Sequence, residues 1–434
     1  MTISFNAIPV GLRVPGQYIE FDASRATNGL PVAPNRILLV GQMLAAGSAD
    51  ALDIVTIAQA DQAVAFFGRG SMLARMASVL KAADRTTECH AIALDDLVAG
   101  VAATGEIAVT GPSTGTGMMA LMIAGQAVPV VVPAATSSDD IAAAIAAAIN
   151  ARPDLPVTAA AVDSDVTLTA RHKGSCGNEI DIRHSHYQGE LLPAGVGIAI
   201  TAMADGAGDP DYSTIWDIVG DADYRTIIIG TATAPILAAV KTELDDRWGP
   251  LRMLESVCYA AKPGSQGTLA AFGGALNSEL ISVFGAGAIP NPPWEVAASY
   301  GGVAGYYSHI DPARPLHTLT LPGIIGPRVT ERFTRAEREL LLKDGIATFS
   351  VDQAGTVRIE RAITTYQTNA TGLEDTAFLD LETVHTLSYF RQALRLRIAL
   401  KFPRHKLASD GTNFSRGQAI VTPSIIRAEI VALF

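Results

Sequence analysis

The sequence predicts a multidomain α/β protein with a central, mostly parallel sheet, an inserted β-rich domain and an α+β C-terminal domain. Three observations support this fold class. The chain has 434 residues, which is too long for a single compact core. Residues 212–325 alternate apolar strand-like runs with helical patterns, as parallel sheets covered by helices do. From about Asp96 to Asp205 the elements become short and contain only four basic residues, which indicates an insertion.

The charge balance excludes one broad class of function. Lys and Arg number 32 and Asp and Glu number 43, so the net charge is −11. A general nucleic-acid binder should instead present a basic surface. Only 17% of the residues are charged while 49% are hydrophobic, against about 25% charged in ordinary soluble domains. This composition excludes disorder and suggests that part of the surface contacts other protein.

Cysteine usage and the apolar runs give no sign of export or membrane insertion. Cys89, Cys176 and Cys258 are far apart and form no CxxC pair, so a reducing compartment is the simpler interpretation. The N-terminus lacks the basic and apolar regions of a secretory signal. The longest apolar stretch, residues 118–135, is interrupted by Gly125 and two prolines and therefore predicts two strands.

Residues 1–20 have the pattern of an N-terminal arm. Apolar residues at Ile8, Val10, Leu12 and Val14 alternate with Pro9, Gly11 and Arg13, which is strand periodicity. Because proline cannot donate a ladder hydrogen bond, the strand must lie at a sheet edge. Two interpretations remain open: the first strand of its own domain, or a strand added to the sheet of a neighbouring subunit.

The first part of the core is predicted at residues 21–95. Residues 36–41, RILLVG, form a continuous apolar run followed by glycine, as buried strands of α/β layers do. Residues 58–83 have helical spacing that is interrupted at Gly68 and Gly70, and Cys89–Leu94 predicts a second strand.

Residues 96–206 predict an inserted domain of ββαββ type. Its helix spans Asp140–Asn150, with Ser138 and Asp139 supplying a cap and a negative first turn. The strand-like segments are ALMIAG, AVPVVV, PVTAAAV, VTLTARHKG and NEIDIRH.

The remaining residues predict an α/β domain at 207–330 and a C-terminal domain at 331–434. The α/β domain contains strands at 225–230, 255–260 and 279–284, with helices at 235–248, 265–278 and 294–307. The C-terminal domain begins with a capping box, Thr334 to Glu337, and its helix ends before Gly345. A hairpin across 352–355, a helix over 374–399 and a helix beginning at Thr422-Pro423 follow.

No motif predicts catalysis or a bound cofactor. The chain contains no GxSxG, HExxH or GxxxxGK[ST] sequence. The segment Gly111–Gly117 has the composition of a phosphate loop but lacks its lysine, so we interpret it as a hairpin turn. Gly285-Ala-Gly287 lacks the third glycine and the acidic residue of a dinucleotide site.

Two pairs of potential ligands or catalytic groups have ordinary structural explanations. His184 and His186 could share one face of a strand near Cys176, but zinc needs a fourth ligand, so a solvated strand face is the preferred interpretation. Cys89 and His90 lie in a predicted buried strand, and no third group completes a catalytic set. We therefore predict a protein that is not an enzyme and has no metal or cofactor.

The distribution of charge along the chain is uneven. Residues 328–434 carry 15 basic and 12 acidic side chains, whereas the rest of the chain is acidic. Residues 391–406 include six basic residues and no acidic one. On the predicted helix, Leu387, Phe390, Leu394 and Ile398 would form the buried stripe. The basic face is either an ordinary solvated face or a surface for an acidic partner.

The last hundred residues carry the most specific signal. They resemble the Mu-like contractile phage tail sheath family, as do the opening segment ISFNAIPVGLRVPGQYIEFD and the insertion ending in VTLTARHKGSCGNEIDIR. The C-terminal segments that resemble this family are ELLLKDGIATF, RIERAITTYQTN, DLETVHTLSYFRQALRLRI, KFPRHKLASDGT and QAIVTPSIIRAEI.

The resemblance implies a structural protein of a phage tail. It implies a subtilisin-like core, with the insertion outside and the C-terminal domain inside against the tail tube. Subunits would polymerise around that tube and contract without nucleotide, driving it through the host envelope. The implied arm residues are Phe5, Ile8, Val10, Leu12 and Val14, and the implied tube-facing residues are Arg391, Arg395, Arg397 and Lys401.

The same resemblance implies partners and location. The partners would be other copies of the chain, the tail tube protein, and the baseplate and tail terminator proteins, with no nucleic acid and no membrane insertion. The protein would be made in the bacterial host cytoplasm and would reside in the virion tail. Family members continue beyond the position of Phe434 with a further strand, so we expect a truncated chain that associates weakly.

Two other functions remain open from the sequence. The sheath could belong to a bacterial contractile injection device or tailocin, since the physics of the subunit is the same. From a different class, the chain could be an α/β hydrolase with an unrecognised active site, which would require an Asp, a His and a Ser that converge at strand ends.

Overall fold

The computed structural model describes residues 35–413 and 417–433. They fall into two compact units, residues 35–386 and a second unit that contains the described residues from Leu387 onward. The strands of the described residues are β1 (Arg36–Gln42), β2 (Ile54–Thr56), β3 (Glu88–Leu94), β4 (Ala102–Thr110), β5 (Gly117–Ile123), β6 (Gln126–Val132), β7 (Val157–Val162), β8 (Asp165–Lys173), β9 (Ile182–His184), β10 (Gly197–Ala204), β11 (Thr226–Ile229), β12 (Val257–Pro263), β13 (Ile281–Gly287), β14 (Thr320–Ile325), β15 (Ile346–Val351), β16 (Thr356–Arg361), β17 (Lys406–Leu407) and β18 (Ile420–Val421).

The helices alternate with these strands over much of the chain. None of the helices in the described part is long and apolar enough to cross a bilayer. The helices are α1 (Ala60–Phe67), α2 (Met72–Ala83), α3 (Ser138–Asn150), α4 (Ile215–Val219), α5 (Ala234–Trp248), α6 (Gln266–Gly274), α7 (Pro293–Ile310), α8 (Arg335–Lys343), α9 (Leu381–Lys401) and α10 (Pro423–Leu433).

A nine-stranded mixed sheet forms the centre of the larger unit. Its order is β14-β16-β15-β13-β12-β11-β1-β3-β2. The pairs from β15 through β13, β12, β11 and β1 to β3 are parallel, and the pairs at both ends of the sheet are antiparallel. The predicted α/β fold with a mostly parallel centre is therefore confirmed as a mixed α/β sheet in a multidomain chain.

The central strands are apolar because helices cover both of their faces. Every residue of β11 and β13 is buried, as are all residues of β1 except Arg36. Strands of parallel sheets accordingly have continuous apolar sequences instead of alternating ones. RILLVG and TIII therefore identify the middle of this sheet from sequence alone.

Helix α7 packs closely on the sheet because three of its residues are glycines. A Cβ at Gly301 would lie 2.7 Å from Ile228 Cγ1, and one at Gly305 would lie 2.4 Å from Thr226 Oγ1. A Cβ at Gly302 would meet Leu80 of α2 at 2.6 Å. Gly301 and Gly305 are one helical turn apart and thus face the same strand. Any larger residue at these positions would force the helix away from β11.

The insertion forms two small sheets, with orders β10-β4-β8-β7 and β6-β5-β9. The sequence did not reveal β4 and β10. The inward residues of β4 include Ala103 and Gly105, whose small size weakens the apolar alternation, and in β10 only Met203 is buried. The Gly111–Gly117 segment was predicted to be a hairpin turn. This prediction is wrong, because the segment connects β4 of one sheet to β5 of the other.

The hairpin β15–β16 belongs to the large sheet, although the sequence placed a domain boundary at residues 330 and 331. β15 pairs in parallel with β13, with Val283 opposite Ile346. Ile346 and Ala347 are fully buried, so the hairpin completes the core instead of starting a new one. A local pattern of alternation shows a hairpin but does not show which sheet receives it.

The long C-terminal helix begins seven residues later than predicted, at Leu381 instead of Glu374. Residues 374–380 return alongside 363–368 and exchange backbone hydrogen bonds with them, including Asp375 N–H to the Gln367 carbonyl at 3.0 Å. Asp375 also accepts a 2.6 Å hydrogen bond from the Tyr366 hydroxyl. These tertiary contacts outweigh the local helical propensity.

Candidate assembly surfaces

The predicted arm lies outside the described residues. Phe5, Ile8, Val10, Leu12 and Val14 all precede Asn35, where the description begins. Their assignment to an inter-subunit strand therefore stays a prediction.

The predicted tube-facing residues all lie on α9, within the second unit. Arg395 is exposed and Arg391 is half-buried. Arg397 Nε and Lys401 Nζ both donate to Glu429 Oε2 of α10, at 3.0 and 2.6 Å. Hydrogen bonds from Lys401, opposed by burial and reinforced by Arg397, lower the pKa of Glu429. Two of the four predicted cations thus hold α9 to α10.

Glu429 was missed by the sequence analysis, although a signal for it exists. It is the only acidic residue on α10, and it pairs with both Arg397 and Lys401, which are one turn apart on α9. A lone acidic residue on a helix beside a basic helix is a natural partner for that basic surface. The pairing itself depends on the turn between the helices, which local patterns do not specify.

The predicted buried stripe of α9 is not observed. Leu387 is 42% exposed, and Phe390, Leu394 and Ile398 are only half-buried. The buried positions on α9 beyond residue 386 are Ser388 and Ala393, which lie on a different face. The prediction failed because i+3 and i+4 spacing identifies an apolar face but does not show that the face is covered. An apolar helix face that remains accessible is a candidate contact surface.

A buried polar network joins the insertion to the large sheet. At the end of β1, Gln42 donates to Asp96 Oδ1 at 2.6 Å and to the Lys173 carbonyl at 2.8 Å. His172 Nδ1 lies 3.0 Å from the same Asp96 oxygen, and Lys173 N–H donates to Oδ2 at 2.9 Å. Burial alone raises the pKa of Asp96, but these hydrogen bonds, led by that of His172, outweigh it and lower the pKa.

The Asp96–His172 pair has the geometry of a hydrolytic dyad but not its chemistry. A general base needs a free ring nitrogen directed at a nucleophile. Here the Met72 backbone N–H donates to His172 Nε2 at 3.0 Å. Nε2 is therefore occupied, Nδ1 carries the proton, and the ring joins α2 to the insertion. The arrangement supports a structural role for this histidine.

Another histidine, the half-buried His385, is likewise used for packing. Burial, followed by the charge of Arg225, lowers the pKa of His385 to about 4, so the imidazole is neutral near pH 7. The Tyr259 hydroxyl lies 2.9 Å from its Nε2 and donates to it. Burial also raises the pKa of Tyr259 well above its ordinary value, which keeps the hydroxyl protonated.

The cysteines are buried and protonated. Burial raises the pKa of Cys89 to about 12, and it also raises the pKa values of Cys176 and Cys258. A nucleophilic cysteine needs the opposite shift. His90, next to Cys89, instead makes a 2.7 Å hydrogen bond to the Tyr224 hydroxyl. The pair thus packs the core, as the sequence analysis preferred.

His184 and His186 do not share a strand face. β9 ends at His184, and Ser185 has a φ of +51°, which breaks the alternation between the two rings. Burial, followed by the positive charge of Arg328, lowers the pKa of His184, and burial together with Arg183 lowers the pKa of His186. Within residues 35–413 and 417–433, no group of three or more His, Cys, Asp or Glu side chains is arranged to hold a metal ion.

Comparison with known proteins gives consistent results along the whole chain. The family model described as phage tail sheath protein central domain matches residues 205–365, which span β11 to β16. All 434 residues align with the Mu-like prophage FluMu tail sheath protein of Haemophilus influenzae at 41% identity, covering 89% of that protein.

Solved structures of two sheath tail proteins are also similar to this chain. The protein from Desulfitobacterium hafniense is 15% identical with a TM-score of 0.48, over 96% of this chain and 88% of that one. The protein from Listeria innocua is 13% identical with a TM-score of 0.44, over 84% of this chain and 77% of that one.

Proposed function

This chain belongs to the phage tail sheath family, and we propose that it polymerises around an inner tail tube and contracts to drive that tube through the host envelope. It is a structural subunit of a contractile tail sheath. The observation that carries this function is the 41% identity to a prophage tail sheath protein over the entire chain. The occupied ring nitrogen of His172 and the protonated thiols are consistent with a structural role.

We also propose an arrangement of the subunit in the sheath. The core is subtilisin-like, the insertion at residues 96–206 faces outward, and residues 331–434 face the tube. The parallel centre of the large sheet and the separate small sheets of the insertion support this layout. The proposed partners are further copies of the chain, the tube protein, the baseplate and the tail terminator. The subunit is made in the host cytoplasm before it enters the virion tail.

The tube-facing role is proposed for the basic surface of α9. Residues 391–406 carry six basic residues and no acidic one, so this surface would attract an acidic tube and set the register of the sheath on it. We assign the attraction to Arg391, Arg395, Arg397 and Lys401 together, and Arg397 and Lys401 also hold Glu429 of α10.

Electron microscopy of the protein with its tube protein tests the function. We expect the chain to associate weakly by itself and to form regular polymers of uniform diameter when the tube acts as a template, because a heterologous contact that does not close generates a helical assembly. Broad hydrolase screening serves as the complementary measurement. Hydrolytic activity that disappears in a histidine or serine variant, together with an absence of polymers, would contradict the sheath assignment.

Neutralising Arg391 and Arg395 of α9 is expected to weaken assembly on the tube. The double variant Arg391→Gln, Arg395→Gln should bind tube roughly tenfold less tightly, since about 1.4 kcal/mol of lost attraction corresponds to one decade. Co-sedimentation with tube at several salt concentrations measures this loss. The double variant Arg69→Gln, Arg85→Gln, at exposed positions outside residues 331–434, is the matched control. Equal sedimentation of both variants, with unchanged circular dichroism, would remove the tube-facing assignment.

A further inference from the structure

An open groove of about 1010 Å³ runs beside the edge strand β14. Its walls are the loop 185–188, residues 320–329, Arg332 and the hairpin turn 353–356. None of the described residues that line it is acidic. All of these segments belong to the larger unit, so the groove lies within one compact unit of the subunit.

The groove has the composition of a protein contact site. Tyr187 is 53% exposed and Val329 is 76% exposed. Exposed tyrosine, arginine and aliphatic side chains around a concave surface are the residues that anchor protein interfaces. Arg328 and Arg332, the two arginines of the groove, differ in whether an acidic side chain lies beside them. Arg328 lies 3.6 Å from Glu331, whereas Arg332 donates to the Pro327 carbonyl and has no acidic partner within the described residues.

The edge of β14 is closed to strand addition at this groove. Asn291 donates to the Gly323 carbonyl at 3.2 Å and accepts from Ile325 N–H at 2.8 Å, so its amide takes the place of a neighbouring strand. Pro322 has no N–H to offer. At Gly323 and Ile325 an occupant therefore cannot pair with the backbone of β14, which makes a contact there different from an arm that adds a strand.

The insertion offers a surface of the opposite charge. Residues 96–205 contain eleven acidic and four basic side chains. Each of the four cations donates to a group inside the subunit, and the acidic residues still exceed them by seven. The acceptors are the carbonyls of Ala148, Leu155 and Val98 for Arg152, Arg171 and Lys173, and the Asp181 carboxylate for Arg183.

One acidic element protrudes with an apolar residue beside it. The turn between β7 and β8 presents Val162, which is 68% exposed, together with the exposed carboxylates of Asp163 and Asp165. Val162 pairs directly with Asp165 across the hairpin. Neither carboxylate has a hydrogen-bonding or ionic partner in the described part of the chain. This hairpin tip (residues 162–165) is thus complementary to the groove. It carries negative charge, and it projects a small apolar side chain.

We propose that the groove of one subunit binds the hairpin tip of a second copy of this chain. The inference rests on the proposed sheath function, which requires repeated contacts between copies. Val162 packs against the apolar wall near Val329, and the two aspartates face Arg332. Because the groove and the tip are different surfaces, the contact is heterologous and propagates from one subunit to the next.

Charge reversal tests this contact. Arg332→Glu is expected to raise the concentration needed for polymerisation roughly tenfold, because like charges then face each other. The double variant Asp163→Lys, Asp165→Lys should have a similar effect. The triple variant that combines all three changes should assemble within about threefold of the wild type, since a restored pair shows coupling that single changes cannot show. Light scattering and electron microscopy in the presence of tube protein measure assembly.

Two exposed side chains outside the contact supply controls. Arg85→Glu changes an exposed cation that does not line the groove, and Glu106→Lys lies on the open face of β4. Both should assemble normally. Normal assembly of Arg332→Glu overturns the groove, and a triple variant that stays impaired overturns the hairpin tip as its occupant. If the wild-type chain forms no polymer with its tube, the proposed sheath function fails and the inference fails with it.

Discussion

Replacing Glu295 by alanine is expected to destabilise the larger unit by about 3 kcal/mol. The change breaks a buried ion pair and leaves the guanidinium of Arg75 without its carboxylate. The Glu295 side chain is 1% exposed and accepts a 2.7 Å hydrogen bond from Arg75 Nε of α2. It also accepts from Asn291 Nδ2 at 2.9 Å, and Asn291 in turn holds the edge of β14. The pair therefore connects two helices and a sheet edge.

We expect a loss of unfolding free energy at the lower end of the range for buried ion pairs, because Arg75 is 24% exposed and can regain some hydration. Chemical denaturation followed by far-UV circular dichroism measures the change. Glu295→Gln should lose less, because the amide oxygen still accepts a hydrogen bond. Asp245→Ala is the matched control, since it removes an acid from the exposed Lys241–Asp245 pair and should cost at most about 0.5 kcal/mol. Equal midpoints for Glu295→Ala and Asp245→Ala would show that the buried pair contributes no net stability.

Much of the large sheet could be predicted because its signals are local. The apolar run at residues 36–41 marks β1, and Gly68 and Gly70, both with positive φ, separate α1 from α2 as expected. The capping box at Thr334 is present, with Thr334 accepting from Glu337 N–H at 3.3 Å. Each of these features depends on residues that are close together in the sequence.

The contacts between distant segments could not be predicted in the same way. Arg75 and Glu295 are separated by 220 residues, and Gln42 and Lys173 by 131. Nothing in the local sequence of either partner identifies the other. The same limit explains Glu429: the basic residues of α9 suggested an external partner, but two of them bind a neighbouring helix. The exposed Leu387 shows the related limit that a pattern of apolar residues does not reveal whether they are covered.

Deleting residues 1–16 is expected to abolish sheath formation while the remaining chain stays folded. The alternation from Ile8 to Val14 is that of an edge strand, and a strand added to a neighbour's sheet contributes main-chain hydrogen bonds that connect subunits during contraction. Size-exclusion chromatography should show a monomer, and electron microscopy with tube protein should show no regular polymer. Normal sheaths from the deleted chain would overturn the assignment of this segment as the inter-subunit arm.

Proline substitutions distinguish main-chain pairing from side-chain packing in the same arm. Neighbouring residues of a strand direct their N–H groups to opposite edges, so one of Gly11→Pro and Leu12→Pro removes a ladder donor whichever edge is paired. That variant should assemble as poorly as the deletion. Leu12→Thr keeps the N–H and the β propensity and should assemble nearly normally. If Leu12→Thr fails while both proline variants assemble, the arm binds through its side chains and not as an added strand.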